Sequence, residues 1–171
     1  MPIISFGGKS PRIAESALIA DTSYIIGDVE IGENTSVWPG AVVRGDMMPI
    51  RVGNNCHIEE NTVLHGRVVI GDNAMVGHNC VVEGNVGENT LVGNHATILA
   101  FADIGNFCII AANSTVMERA KIPDRSFVVG SPASIKGELT QKNIKKMDFY
   151  MPPYVDLVKE YKKQGIWERT R

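Results

Sequence analysis

The chain has 171 residues, 44% of them hydrophobic, enough for one ordinary domain to bury a core without disulfide or metal staples. Seventeen Lys and Arg against nineteen Asp and Glu leave a formal charge of -2, so no basic field exists to hold nucleic acid or anionic lipid. No apolar run reaches the roughly 18 residues of a membrane span, and the first residues lack a charged segment followed by a long apolar one. The expectation is a soluble cytoplasmic protein with neither nucleic acid nor membrane as partner. Aromatics are only 6% while Gly reaches 17, which favours a core of stacked Val, Ile, Ala and Leu. Cys56, Cys80 and Cys108 show no C-x-x-C spacing and read as small buried hydrophobes.

An aliphatic-Gly pair, often followed by Asp, Glu or Asn, returns along most of the chain. The pairs are Ile26-Gly27, Ile31-Gly32, Val52-Gly53, Ile70-Gly71, Val76-Gly77, Val86-Gly87, Val92-Gly93 and Ile104-Gly105, with Ile110-Ala111 in the next slot. From Gly53 the steps are 18, 6, 10, 6 and 12 residues, mostly multiples of six. A period of six cannot come from a helix; three short strands joined by sharp corners produce it, with the aliphatic pointing inward. Gly and its Asn or Asp neighbour suit corners where φ turns positive. The hexapeptide signature predicts a left-handed parallel β-helix, in which each coil buries its aliphatics by stacking on the next. The step of 10 in place of 12 predicts one coil short by one or two residues, with a tightened corner.

After Gly130-Ser131-Pro132-Ala133 the pattern stops, placing the β-helix over 1–135 and a helical segment, packed on it, over 136–171. Thr140 with Asn143 and the spacing Ile144, Met147, Tyr150/Met151, Tyr154, Leu157/Val158, Tyr161 suit an amphipathic helix. Pro152-Pro153 must break it into two pieces. Lys142, Lys145, Lys146, Lys159, Lys162 and Lys163 read as its solvated face.

All four His, at 57, 65, 78 and 95, lie within the coils. His65 and Glu83 are 18 residues apart, about one coil, so they stack at a strand spacing of about 4.8 Å and can share one ion. His78 falls on another side of the prism. A three-fold packing of prisms would bring it opposite the His65/Glu83 pair of the next chain, making three interfacial sites with an open position for water. His95, 17 residues beyond His78, should stack under it; His95 and His57 are open as substitute ligands or as supports of the ligands. Arg44 and Asp46 share one strand face and read as a salt bridge at a subunit interface.

At these residues the chain resembles the gamma-class carbonic anhydrase family. The resemblance is carried by Pro11-Arg12-Ile13, Ile25-Ile26-Gly27-Asp28-Val29, Ser36-Val37-Trp38-Pro39, Val43-Arg44-Gly45-Asp46, Thr62-Val63-Leu64-His65, Val76-Gly77-His78-Asn79, Val128-Val129-Gly130-Ser131-Pro132-Ala133 and Glu138-Leu139-Thr140. It implies a homotrimer that interconverts CO₂ and bicarbonate at Zn2+, Fe2+ or Co2+ held between subunits by three His, two from one chain and one from its neighbour. His65 matches the first and His78 the second. The third departs: where the family resembles I-G-H-x-A-x-x-H-G, this chain reads Val76-Gly77-His78-Asn79-Cys80-Val81-Val82-Glu83-Gly84, with Glu83 in place of the His. His57-Ile58-Glu59-Glu60-Asn61 puts Glu59 where the family has a Gln that orients the metal-bound hydroxide, and Gly66-Arg67-Val68-Val69 is shorter than the family's loop.

Two His and one Glu make a legitimate zinc set, while an anionic ligand weakens the ion's pull on bound water. The resemblance therefore implies CO₂ hydration of reduced activity, with His65, His78 and Glu83 on the metal and Glu59 or Glu60 handling the proton. The alternative is a non-catalytic trimeric scaffold of the same family. A hexapeptide acyltransferase comes third, because no long insertion interrupts the coils.

Overall fold

The computed structural model describes residues 3–141, 143–145 and 152–167. The chain winds into a left-handed parallel β-helix of about seven turns with a short C-terminal helix. Face one stacks β3 (Leu18–Ile19), β5 (Ser36–Val37), β7 (His57–Ile58), β10 (Met75–Val76), β13 (Leu91–Val92), β16 (Ile109–Ile110) and β19 (Ser126–Gly130). Face two stacks β1 (Ile3–Ile4), the first halves of β4 (Tyr24–Ile31) and β6 (Val42–Val52), then β8 (Val63–His65), β11 (Val81–Val82), β14 (Thr97–Ile98) and β17 (Thr115–Val116). Face three stacks β2 (Arg12–Ile13), the second halves of β4 and β6, then β9 (Val68–Ile70), β12 (Asn85–Val86), β15 (Asp103–Ile104) and β18 (Lys121–Ile122). The last strand, β20 (Ala133–Glu138), turns back antiparallel on β19.

Register explains the core. On face two Ile25, Val43, Leu64, Val82, Ile98 and Val116 sit directly over one another, and all are buried. Each such side chain is worth about 1.5–3 kcal/mol relative to exposure, and no coil could keep its own aliphatics dry without a neighbour. The three thiols are buried at inner corners, where Thr35, Thr62 and Thr90 hold equivalent slots. Cys56 Sγ meets the Gly71 carbonyl at 3.1 Å, as Thr35 Oγ1 meets that of Gly53 at 2.7 Å. Burial pushes Cys56 up to about 12 and Cys80 to about 11, so these thiols stay protonated and serve as packing.

The glycines work differently from the sequence expectation. Among the eight pairs only Gly27 has positive φ; elsewhere it falls two residues after the Gly slot, on Asn34, Asn55, Asn73, Asn79, Asn89, His95, Phe107 and Asn113. Glycine is needed because successive coils touch there. A Cβ on Gly87 would lie 2.4 Å from the Gly105 carbonyl oxygen. Asn suits the left-handed position because its short amide bonds locally.

Coil length varies at two corners of the same edge. Gly27 pairs with Gly45 but Val29 with Ile50, so three extra residues enter at Met47-Met48-Pro49. Leu64 pairs with Val82, 18 residues on, but Val82 pairs with Ile98, only 16 on. The shortened coil of the sequence reading is thus short by two residues, at the corner around Gly84.

Helix α1 (Pro152–Lys163) lies outside face one. It starts at the expected break, where a Pro without an N–H costs least. Residues 141 and 143–145 are also helical, with the Asn143 amide donating to Thr140 Oγ1 at 3.3 Å. The expected helical positions Met147, Tyr150 and Met151, and the face residues Lys142 and Lys146, lie outside the described residues. Lys159 and Lys163 are exposed, whereas Lys162 is half-buried and donates to the Glu15 carbonyl. The helix packs on β3 and sets the Tyr154 ring against His57, which explains why the outward-pointing Leu18 and His57 are buried. Trp38 is the hub, meeting the rings of Tyr154, Tyr161 and Trp167 edge-on at 6.0, 5.4 and 5.8 Å. Among the described residues no helix is long and apolar enough to cross a membrane.

Candidate functional site

Two polar clusters occupy opposite edges of face two. The first is built on His65 at the end of β8. Register places Arg44 of β6 beside it on one side, and the Leu64–Val82 pairing brings Glu83 beside it on the other. Glu83 Oε1 is 3.6 Å from His65 Nδ1, and Asp46 Oδ1 is 3.8 Å from His65 Nε2. Arg44 donates to the other Asp46 oxygen at 2.8 Å, so this pair closes within one chain. That guanidinium holds the Asp46 carboxyl below the usual carboxylate range. Asp46 Oδ1 and His65 Nε2 are both buried and have no hydrogen-bond partner among the described residues.

The second cluster surrounds His78, just past β10. The Ile58–Val76 pairing sets Gly77 opposite Glu59 and His78 opposite Glu60. Glu59 Oε2 lies 3.0 Å from His78 Nε2, and Glu60 Oε2 2.7 Å from His78 Nδ1. Glu59 is buried, and burial raises its pKa against the partial lowering from the Tyr154 hydroxyl and His78. Burial and Glu59 together push the Tyr154 hydroxyl upward. Tyr154 belongs to α1, so the C-terminal helix reaches this cluster directly.

His57 sits behind Glu59 on the same strand face, fully buried, with the Tyr154 ring 5.0 Å away. Trp38 Nε1 donates to Ser36 Oγ at 2.8 Å, and Ser36 Oγ and His57 Nδ1 share a second hydrogen bond, also at 2.8 Å. Among the described residues His57 Nε2 and Glu59 Oε1 have no hydrogen-bond partner. Burial lowers the His57 pKa to about 4. In the unfolded chain His57 titrates near 6.5, so below that pH the unfolded state takes a proton that the folded state refuses. Stability is therefore whole above 6.5 and falls as pH drops toward 4, by about 3 kcal/mol from this group. Denaturant unfolding at successive pH values should show an acid limb flatter by that amount in His57→Gln; parallel limbs would mean His57 accepts its proton while folded.

His95 does not stack under His78 as expected. The coil there is 16 residues long, so Asn94 takes that position and its side-chain oxygen accepts the His78 amide at 3.2 Å. His95 is an exposed corner residue with φ of 59°. Among the described residues no three His, Cys, Asp or Glu side chains are arranged to hold a metal ion within one chain. Sequence reasoning missed the meeting of Asp46 with His65 and that of Tyr154 with Glu59. The first was readable from the 21-residue step between Ile31-Gly32 and Val52-Gly53, which sets residue 44 opposite 65. No periodic signal announces the second.

Residues 10–45 and 49–84 match the family described as bacterial transferase hexapeptide (six repeats), and 85–118 the hexapeptide repeat of succinyl-transferase. The chain is 39% identical over 165 residues to a carbonic anhydrase of Geobacillus kaustophilus, spanning 94% of this chain and 91% of that one. It is 34% identical over 160 residues to the mitochondrial gamma carbonic anhydrase 2 of Arabidopsis thaliana, spanning 87% of this chain and 58% of the plant protein. The crystal structure of a hexapeptide transferase family protein from Anaplasma phagocytophilum superposes with a TM-score of 0.90 at 32% identity, over 94% of this chain and 98% of that one.

Proposed function

Because the chain belongs to the gamma-class carbonic anhydrase family of hexapeptide-repeat proteins, we propose that it is a homotrimeric metalloprotein interconverting CO₂ and bicarbonate at a metal shared between two chains. The observation that carries this reading is the pair of half-sites on opposite edges of one prism face. His65 offers a buried Nε2 with no hydrogen-bond partner among the described residues, Asp46 lying 3.8 Å from it and Glu83 3.6 Å from Nδ1, while His78 stands 40% exposed at the other edge, where a neighbour could be met. These donors fit Zn2+, Fe2+ or Co2+, with His65 and a carboxylate from one chain and His78 from the next; by sequence position that carboxylate is Glu83. When bound, such an ion supplies the Lewis acidity that readies water to attack CO₂ near neutral pH.

The chain's own residues handle the rest. Glu59, buried and raised in pKa, is suited to take the proton released by the attacking water, and Glu60, 38% exposed, to pass it to solvent. Glu60 at His78 Nδ1 fixes that ring's proton, so Nε2 becomes a donor when Glu59 yields it. The carboxylate ligand reduces the ion's pull on water, so turnover should be low at neutral pH and rise only in the alkaline range. A stopped-flow CO₂ hydration profile checks this, and full neutral-pH activity would contradict it.

Elemental analysis of anaerobically purified protein, beside a His78→Ala variant, tests the site itself. About one metal per subunit, lost in the variant, is expected. Near-zero metal in both after incubation with zinc or iron would leave the non-catalytic scaffold. One observation favours that second reading: both His78 nitrogens already face carboxylates of their own chain.

A further inference from the structure

The facing atoms of Asp46 and His65 cannot be explained by a hydrogen bond. They stand 3.8 Å apart, beyond the roughly 2.7–3.2 Å of an N–H···O bond, and both are buried with no other hydrogen-bond partner among the described residues. The far atoms of the same two side chains each face an ionisable group. Arg44 donates to Asp46 Oδ2 at 2.8 Å, and the Glu83 carboxylate lies 3.6 Å from His65 Nδ1. A carboxylate beside Nδ1 favours the proton on that nitrogen, as in the carboxylate–histidine–metal arrangement, and leaves Nε2 with a lone pair. Nε2 and Asp46 Oδ1 are then two acceptors facing each other, an arrangement that a bound cation stabilises. Two donors about 2.0–2.1 Å from a tetrahedral zinc stand roughly 3.4 Å apart, a few tenths of an ångström from the span seen.

We propose that Asp46 is a metal ligand beside His65, and that Glu83, at the place of the family's third His, is a positioning residue that orients the His65 imidazole through Nδ1. The assignment rests on the shared-metal reading and changes which carboxylate touches the ion. Its origin lies in the coil lengths. Asp46 is the last residue before the Met47-Met48-Pro49 insertion, and the 21-residue register that the insertion creates sets Arg44 against His65, with Asp46 two residues further on the same face.

The test compares Co2+ affinity and the Co2+ visible absorption spectrum in the full-length protein and in Asp46→Asn, Glu83→Gln and Glu83→Ala. Asp46→Asn should lower affinity by more than about 100-fold and alter the spectrum, as loss of a ligand does. Glu83→Gln, whose side-chain oxygen can accept a hydrogen bond from the Nδ1 proton, should keep the native spectrum and restore most of the affinity that Glu83→Ala loses, about 10-fold. A native spectrum in Asp46→Asn, or a Glu83→Gln spectrum that departs from native, would overturn the assignment and leave the shared-metal reading standing. If the unsubstituted protein binds no Co2+, both fall together. Should Asp46→Asn not fold, the Glu83→Gln spectrum decides alone: unchanged supports the assignment, changed overturns it.

Discussion

Gly87→Ala should destabilise the chain by more than about 4 kcal/mol, whereas Asn89→Ala, two residues on, should cost about 1–2 kcal/mol. The added methyl carbon would lie 2.4 Å from the Gly105 oxygen, 2.5 Å from its carbonyl carbon and 2.7 Å from the Asn106 nitrogen. All three are backbone atoms of the next coil, so no side chain can swing aside. The only relief is to part the coils, yet the Gly87 amide donates to the Ile104 carbonyl at 2.8 Å and the neighbouring ladder bonds would open with it. Asn89, at φ of 53°, meets only the ordinary penalty of a left-handed residue without a polar side chain. Soluble yield and urea midpoints of the two variants are the measurement. A Gly87→Ala protein with the wild-type midpoint would show that the coils are not locked at this spacing.

Trp38→Ala should cost about 3–5 kcal/mol, the usual range for deleting a buried large aromatic. Trp38 is 6% exposed, holds three rings of the C-terminal segment edge-on, and donates to Ser36. Removing it takes away what α1 packs on and uncovers His57 and Glu59. Leu157→Ala, at a position 38% exposed on the same helix, should cost less than about 1 kcal/mol. Limited proteolysis followed by mass spectrometry should show Trp38→Ala cut between the last coil and α1 while the coils stay intact. Loss of coils and helix in one step would show that the helix is integral to the prism.

The stacking was legible because one constraint repeats: every aliphatic-Gly pair meets the same neighbour one coil away. Even the shortened corner could be read, from the step of 10 between Gly77 and Gly87. The reason for the glycines was not legible, since a positive φ and a forbidden Cβ leave the same letter in the sequence. In this chain the two duties are split between Gly87 and Asn89. His65 and Glu83 could be paired because an 18-residue coil joins them, whereas Asp46 sits before an insertion that breaks the count. His95 was misplaced for the complementary reason, the coil beneath His78 being shorter than assumed. Tyr154 lay beyond the reach of any repeat, because a helix docks on the prism by its surface and not by its period.

The placement of α1 carries a consequence for synthesis. Coils can stack in the order in which they leave the ribosome, each finding its template already formed. Their outer face at Trp38, His57 and Glu59 waits for residues 152–163, which at ~5–20 residues per second emerge on the order of ten seconds after Trp38. Through that interval a nascent chain shows an open indole and a bare histidine to whatever passes. A segment made after the coils is thus the one that seals them, and a chain cut short before it would keep its prism but not its cover.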